Sequence, residues 1–295
     1  MYRKALFLTA AALLLSLLAG CGGAGPDASS SSPASPDPAA TQAAATPDPT
    51  PTPESTPEPT PEPTPQATAE VTFQPVYQFG TPVAESEPVA DDGFFDSAVF
   101  LGDSRTEGLQ QFSGLKHGTF YWARGMNVFR ANDEEFKYFP VNGENYTMIG
   151  ALKQQSFQSV YIMIGVNELG YPAQSYESGL AKLVDEVIAA QPEAVIYLQV
   201  MPPLNDAMCR ANGLAYYINN DNLNAFNEII VRIAAEKKVA LLNTAEVYTG
   251  EDGQLPKELA NDGCHFAIGA YSLWADYMRT HVIDRDLYFY SRENA

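Results

Sequence analysis

The ten residues FLGDSRTEGL, Phe100 to Leu109, decide the fold. An apolar run, Ala98–Leu101, stops at Gly102 and passes at once into an aspartate and a serine. This is how a buried strand hands over to a helix: glycine makes the tight turn, and Asp103 and Ser104 are both types favoured at a helix N-cap. The same residues raise a chemical alternative. A serine at the head of a helix has a free backbone N–H beside it and sits at the positive end of the helix dipole, which suits a nucleophile as well as a cap.

Four further apolar runs lie C-terminal to this stretch: Thr119–Trp122, Ser159–Ile164, Ala194–Val200 and Val239–Leu242. They are short and nearly unbroken, as parallel strands buried on both faces require. Between them Tyr176, Leu180, Leu183, Val184, Val187 and Ile188 recur at helical spacing, as do Leu223, Phe226, Ile229, Ile230 and Ile233. Each stripe should face the sheet. A last helix is expected over about 268–282. The alternation predicts an α/β fold: a three-layer α/β/α sandwich with a mainly five-stranded parallel sheet, flavodoxin-like, with right-handed crossovers. Residues 91–295 are expected to form this one domain, long enough to bury a good core.

The N-terminal third reads differently. Residues 1–20 carry Arg3 and Lys4 and then an apolar core, the pattern of an export signal too short to span a bilayer well. Leu18-Ala19-Gly20-Cys21 resembles a bacterial lipobox, which implies cleavage before Cys21 and diacylation of its sulfur, an extracytoplasmic chain anchored to the cell membrane. From residue 22 to 90 there is no Lys or Arg, and 16 of the chain's 22 prolines fall there, including TPEPTPEPTP, Thr56 to Pro65. Residues 21–90 are therefore expected to be the lipidated cysteine followed by a disordered tether with polyproline II character.

Charge and cysteine content exclude several functions. Residues 91–295 hold 27 acids and 15 bases, a balance of −12, which argues against nucleic acid and against docking on anionic lipid. No CxxC or HExxH is present, so neither a metal nor a cofactor is expected. Cys209 and Cys264 remain after Cys21; they are either two thiols or one disulfide. The sequence does not fix an oligomeric state.

In open α/β sheets ligands bind beyond the carboxyl ends of the strands. Four segments stand there: Gly102-Asp103-Ser104, Ala123-Arg124-Gly125-Met126-Asn127, Gly165-Val166-Asn167-Glu168 and Asn261-Asp262-Gly263-Cys264-His265. Taken singly, they are a cap, a turn, a loop residue and an Asx-turn. Together, and in this order, they resemble the SGNH or GDSL-type serine hydrolases, whose four blocks carry Ser, Gly, Asn and His; here these are Ser104, Gly125, Asn167 and His265. The chemistry of the residues agrees. A serine hydroxyl needs a base, and His265 is the candidate; Asp262, three residues earlier, can fix its tautomer. The resemblance implies an oxyanion hole from the N–H groups of Ser104 and Gly125 and the amide of Asn167.

Two residues depart from the family pattern. Glu168 stands where Asp is common, which puts that carboxylate's loop-bracing role in question and leaves it as a candidate substrate contact. Arg105, where many members carry an apolar residue, is expected either to bind an anionic group of the substrate or to pair with Glu107 or Glu168. The loops add a hint of substrate. FRANDEEFKYFPVNGENY, Phe129 to Tyr146, and the segment 201–222 mix aromatics with acids and amides, which suits sugar rings better than long acyl chains. The expected activity is ester hydrolysis, of O-acetyl groups on carbohydrate. The alternatives are a lysophospholipase or broad short-chain esterase, an acetyltransferase, and a non-catalytic glycan-binding lipoprotein.

Overall fold

The computed structural model describes residues 75–87 and 92–295. The expected signal peptide, Cys21 and most of the tether lie outside the described residues. The strands are β1 (Ala98–Gly102), β2 (Thr119–Trp122), β3 (Phe139–Val141), β4 (Glu144–Tyr146), β5 (Ser159–Met163), β6 (Val195–Gln199) and β7 (Ala240–Leu242). Five of them form one sheet in the order β2-β1-β5-β6-β7, and every neighbouring pair is parallel. The helices are α1 (Ser104–Phe112), α2 (Met148–Leu152), α3 (Ala173–Ala190), α4 (Asp206–Ala211), α5 (Asn220–Glu236), α6 (Tyr271–Thr280) and α7 (Arg285–Asn294). The five strands expected from the apolar runs are the five of this sheet.

Strand alternation divides the core in two, one half on each face. Val99, Leu101, Val160, Ile162, Ile196, Leu198 and Leu241 share a buried cluster with Tyr176, Leu180 and Val184 of α3 and Phe226 and Ile230 of α5. Ala98, Phe100, Tyr161, Met163, Tyr197 and Leu242 share the other with Leu109 of α1, Trp274 of α6 and Tyr288 of α7. On this second face the register lines up Phe120, Phe100, Tyr161 and Tyr197 on four adjacent strands. Their rings stack in sequence, with centroids 4.6, 5.0 and 4.6 Å apart. Each such pair adds roughly 0.5–1.5 kcal/mol to what burial alone supplies.

Three expectations need correction. Part of the segment expected as tether packs on the domain. Residues 82–86 lie along the sheet edge and the end of α6: Pro82 bridges to Leu241 in parallel, Val83 N–H donates to Leu241 C=O at 2.8 Å, and Ser86 N–H donates to Thr280 C=O. Val83 is buried, so this proline-poor end of the segment has an apolar anchor that the Thr-Pro-Glu repeats lack. The helix expected over 268–282 is α6 with a preceding 3₁₀ turn, Ile268–Ala270, and is not the last. Helix α7 follows it, capped by Asp284, whose carboxylate accepts Leu287 N–H at 2.8 Å. The insert 129–146 is not all loop either, since β3 and β4 pair as an antiparallel hairpin around Asn142-Gly143.

Candidate active site

Among the five parallel strands the chain winds from β1 outward to β2, then returns to the other side of β1 for β5. The reversal leaves a crevice between the carboxyl ends of β1 and β5, the usual ligand position in such sheets. Ser104 follows β1, and Asn167 follows β5.

Gly102 ends β1 because of a close approach: a Cβ there would lie 1.8 Å from Thr106 Oγ1 and 2.9 Å from Met163 C=O. Asp103 is the N-cap of α1, its carboxylate accepting Arg105 N–H at 2.8 Å, so Ser104 is the first residue of the helix. Its Oγ lies 2.8 Å from His265 Nε2. His265 Nδ1 lies 2.8 Å from Asp262 Oδ2, and this carboxylate assigns the ring hydrogen to Nδ1, leaving Nε2 to accept from the serine hydroxyl. Asp262 Oδ1 accepts two backbone N–H groups, from Cys264 at 2.9 Å and His265 at 2.7 Å. Burial by itself would raise the Asp262 pKa, but the bonds from the His265 backbone and ring and the Cys264 N–H outweigh it and hold the carboxyl below its ordinary value. The three expected residues, separated by up to 161 positions, thus form one chain of hydrogen bonds.

The oxyanion candidates surround the same serine helix. Gly125 has φ +74°, a left-handed turn that favours glycine. Asn167 sits in the 3₁₀ turn Val166–Glu168, and its amide donates to Met126 C=O at 2.9 Å and to Asp103 Oδ2 at 3.2 Å. Both its hydrogens are engaged, so donation to a substrate oxygen requires sharing one of them.

The model of the GDSL-like lipase/acylhydrolase family matches residues 100–271, from β1 into the start of α6. The chain belongs to the GDSL-like lipase/acylhydrolase family. Solved structures with a similar course include a GDSL-like lipase from Bacteroides thetaiotaomicron, at 15% identity, covering 71% of this chain and 92% of that one, TM-score 0.43. Another is an acetyl xylan esterase, at 14% identity, covering 63% and 99%, TM-score 0.47. A third is TesA, at 16% identity, covering 61% and 94%, TM-score 0.42. No curated protein matches the chain.

In this GDSL-like acylhydrolase the two expected substrate contacts turn out to be internal. Glu168 is fully buried; its Oε1 accepts Val128 N–H at 2.7 Å, bracing the loop that follows Gly125. Burial, reinforced by the nearby Asp103 charge, pushes its carboxyl up to about 8 against the opposing backbone hydrogen bonds. Arg105 is 1% exposed and touches neither Glu107 nor Glu168 as an ion pair. Its guanidinium donates instead to Cys264 C=O and Pro202 C=O, each at 3.0 Å. Glu107 pairs with Arg124, through bonds of 2.6 and 2.8 Å. No signal in the spacing announced that pair, because the two residues meet only when α1 and the turn after β2 are brought side by side.

Cys209 and Cys264 are free and buried, and neither is disposed to react. Burial pushes the Cys209 thiol up to about 11 and raises that of Cys264. Among the described residues no group of three or more His, Cys, Asp or Glu side chains is arranged to hold a metal ion. An acylhydrolase also needs room for its ester. A cleft of about 520 Å³ opens beside Ser104 and His265, walled by Gln111, Phe112, Ile268 and Tyr271 and rimmed by the Glu107–Arg124 pair.

Proposed function

We propose that the acylhydrolase works as a serine esterase through Ser104, His265 and Asp262, and that its substrates are O-acetylated carbohydrates. The observation that carries the mechanism is the unbroken run Ser104 Oγ–His265 Nε2–Asp262, two contacts of 2.8 Å each, opening onto a solvent-accessible cleft. Ser104 attacks the ester carbonyl while its proton passes to His265 Nε2, and Asp262 stabilises the resulting imidazolium. The oxyanion is received by the N–H of Ser104 at the helix start, the N–H of Gly125 and a shared hydrogen of the Asn167 amide. His265 then protonates the departing alcohol. Water, deprotonated by the same ring, attacks the acyl-serine and releases the carboxylic acid.

Support for a sugar comes from exposed aromatic rings on the loops. Phe129 and Tyr171 are exposed and lie 5.2 Å apart, and Tyr216 and Tyr217 form a second exposed pair at 5.5 Å. They extend from the same loops as Gly125 and Asn167 and from the segment after α4. The amides of Asn219, which caps α5, and Asn222, in its first turn, donate to the carbonyls of Tyr216 and Tyr217, so the two rings stand on a braced segment as an aromatic surface that matches the face of a pyranose. One observation favours the lipase alternative: Phe112 and Ile268, 43% and 67% exposed, place apolar surface in the cleft itself. The lipobox-like Cys21 supports placement outside the cytoplasm on a lipid anchor, where wall and imported polysaccharides are within reach.

Hydrolysis of p-nitrophenyl acetate, butyrate and longer esters, and of acetylated xylan, tests these readings together. Wild type should turn over acetate best, and Ser104→Ala should lose about 10⁴-fold or more in kcat. Preference for long chains would favour the lipase reading. No turnover of any ester by wild type would leave a binding protein.

A further inference from the structure

Arg105 is a buried cation beside the site. It lies directly after the nucleophile, 1% exposed, and among the described residues no carboxylate forms an ion pair with it. Its charge rests on two carbonyl oxygens and on the face of Phe266, 5.1 Å from the ring centre, while Nη2 has no hydrogen-bond partner. An apolar side chain of similar volume would fill this slot without the penalty of burying a cation. Stability is therefore a poor reason for arginine here, and its partners suggest another.

Cys264 and Phe266 are the two neighbours of His265, and Arg105 grips both: the carbonyl of the one and the ring of the other. The segment 261–266 that carries the base has no helix or strand of its own. Apart from the Ser104–His265 bond itself, the bond from Arg105 Nε to Cys264 is the hydrogen bond that links α1 to this segment among the described residues. The second bond, to Pro202, ties the same guanidinium to the loop after β6. On the other side of the serine, Asp103 receives the amide of Asn167. The two residues flanking the nucleophile thus divide the labour: Asp103 holds the oxyanion side and Arg105 the base side.

We propose that Arg105 is a positioning residue which sets the Ser104–His265 separation by clamping both neighbours of His265 to the nucleophile's helix. The proposal rests on the catalytic reading above. Its test compares Arg105→Met and Arg105→Lys with wild type and Ser104→Ala, using p-nitrophenyl acetate kinetics, thermal unfolding, and the low-field proton resonance of the His265 Nδ1–H bound to Asp262. Displacement of reacting groups by about 1 Å can cost on the order of 10²-fold. Arg105→Met should therefore fold, keep KM within about twofold, and lose roughly 10- to 100-fold in kcat. Its low-field resonance should broaden or shift. Arg105→Lys, which retains the charge but only one of the two carbonyl contacts, should fall between the two. A folded Met variant with wild-type kcat and an unchanged resonance overturns the proposal. If the Met variant does not fold, wild-type kcat in the Lys variant overturns it. Should wild type hydrolyse nothing, the functional reading fails, and the resonance alone still decides whether Arg105 orders the base.

Discussion

Asp262 and Glu168 are carboxyl groups at the same site whose environments act in opposite directions. Asp262 accepts three hydrogen bonds, and its pKa is lowered although burial opposes this. What this group contributes is present in full above the ordinary carboxylate value of about 4 and is lost only as pH falls through its lowered value, so it is constant across neutral pH. Asp262→Asn keeps the acceptor for the two backbone N–H groups but turns an amide toward Nδ1, which selects the wrong tautomer of His265. Turnover should fall on the order of 10²- to 10⁴-fold with the fold intact, as kcat and thermal unfolding measured on one sample will show. Glu168 behaves in reverse. Its folded value of about 8 lies above the unfolded one, so the folded state keeps a proton that the unfolded chain has released. Stability should therefore fall as pH rises from about 4 to about 8, by a few kcal/mol, and then level off. Glu168→Gln retains the acceptor for Val128 N–H and cannot ionise. Unfolding curves at pH 5 and pH 8 should converge in this variant relative to wild type.

At the scale of elements, the turns carry the chemistry, and glycine sets their shape. The turn after β2 places Gly125 at φ +74°, where an added Cβ would have Arg130 Nη1, 3.8 Å away, as its nearest neighbour from outside the turn. Gly125→Ala therefore meets open space and pays only the torsional cost, roughly 1–2 kcal/mol. If the backbone relaxes to escape that cost, the Gly125 N–H swings away from the oxyanion. The expected result is a drop in melting temperature of a few degrees with a loss of at least about tenfold in kcat, the second effect exceeding what the first explains. The β3–β4 hairpin turns on a dipeptide that carries its own local mark in the sequence. Asn142 and Gly143 have φ of +52° and +88°, the left-handed pair that Asn-Gly supplies to a two-residue hairpin.

For the whole molecule, part of the segment N-terminal to the expected domain contributes to the sheet edge. Tyr77 Oη accepts Leu241 N–H at 3.1 Å and Val83 N–H donates to Leu241 C=O at 2.8 Å, so residues 77–83, a strap over the edge strand β7, occupy both backbone groups of Leu241. Tyr77 N–H is taken up by Ser291 Oγ of α7 at 2.8 Å. A chain beginning at Asp91 loses these bonds and uncovers β7. Its melting temperature should fall by about 5–10 °C relative to a chain beginning at residue 69, from the apolar burial of Val83 and the lost edge bonds. The cleft contains no strap residue, so kcat below the transition should be unchanged. Equal melting temperatures for the two chains would show that the strap contributes nothing to stability.

The sequence by itself determined the layered α/β class and the five strands of the sheet, because burial on both faces and the turn from strand to helix leave local marks. Ser104, Asp262 and His265 stood out in the sequence by their chemistry and by resemblance to the family's motif blocks, whereas the hydrogen bonds that join them across 161 positions exist only in the folded chain. Tertiary structure alone decided what Arg105 and Glu168 do. Their partners, Pro202, Cys264 and Val128, offer backbone carbonyl and N–H groups, which every residue type carries and no sequence pattern can mark. It also placed residues 82–83 on the edge of β7, through main-chain bonds that are equally blind to side-chain identity.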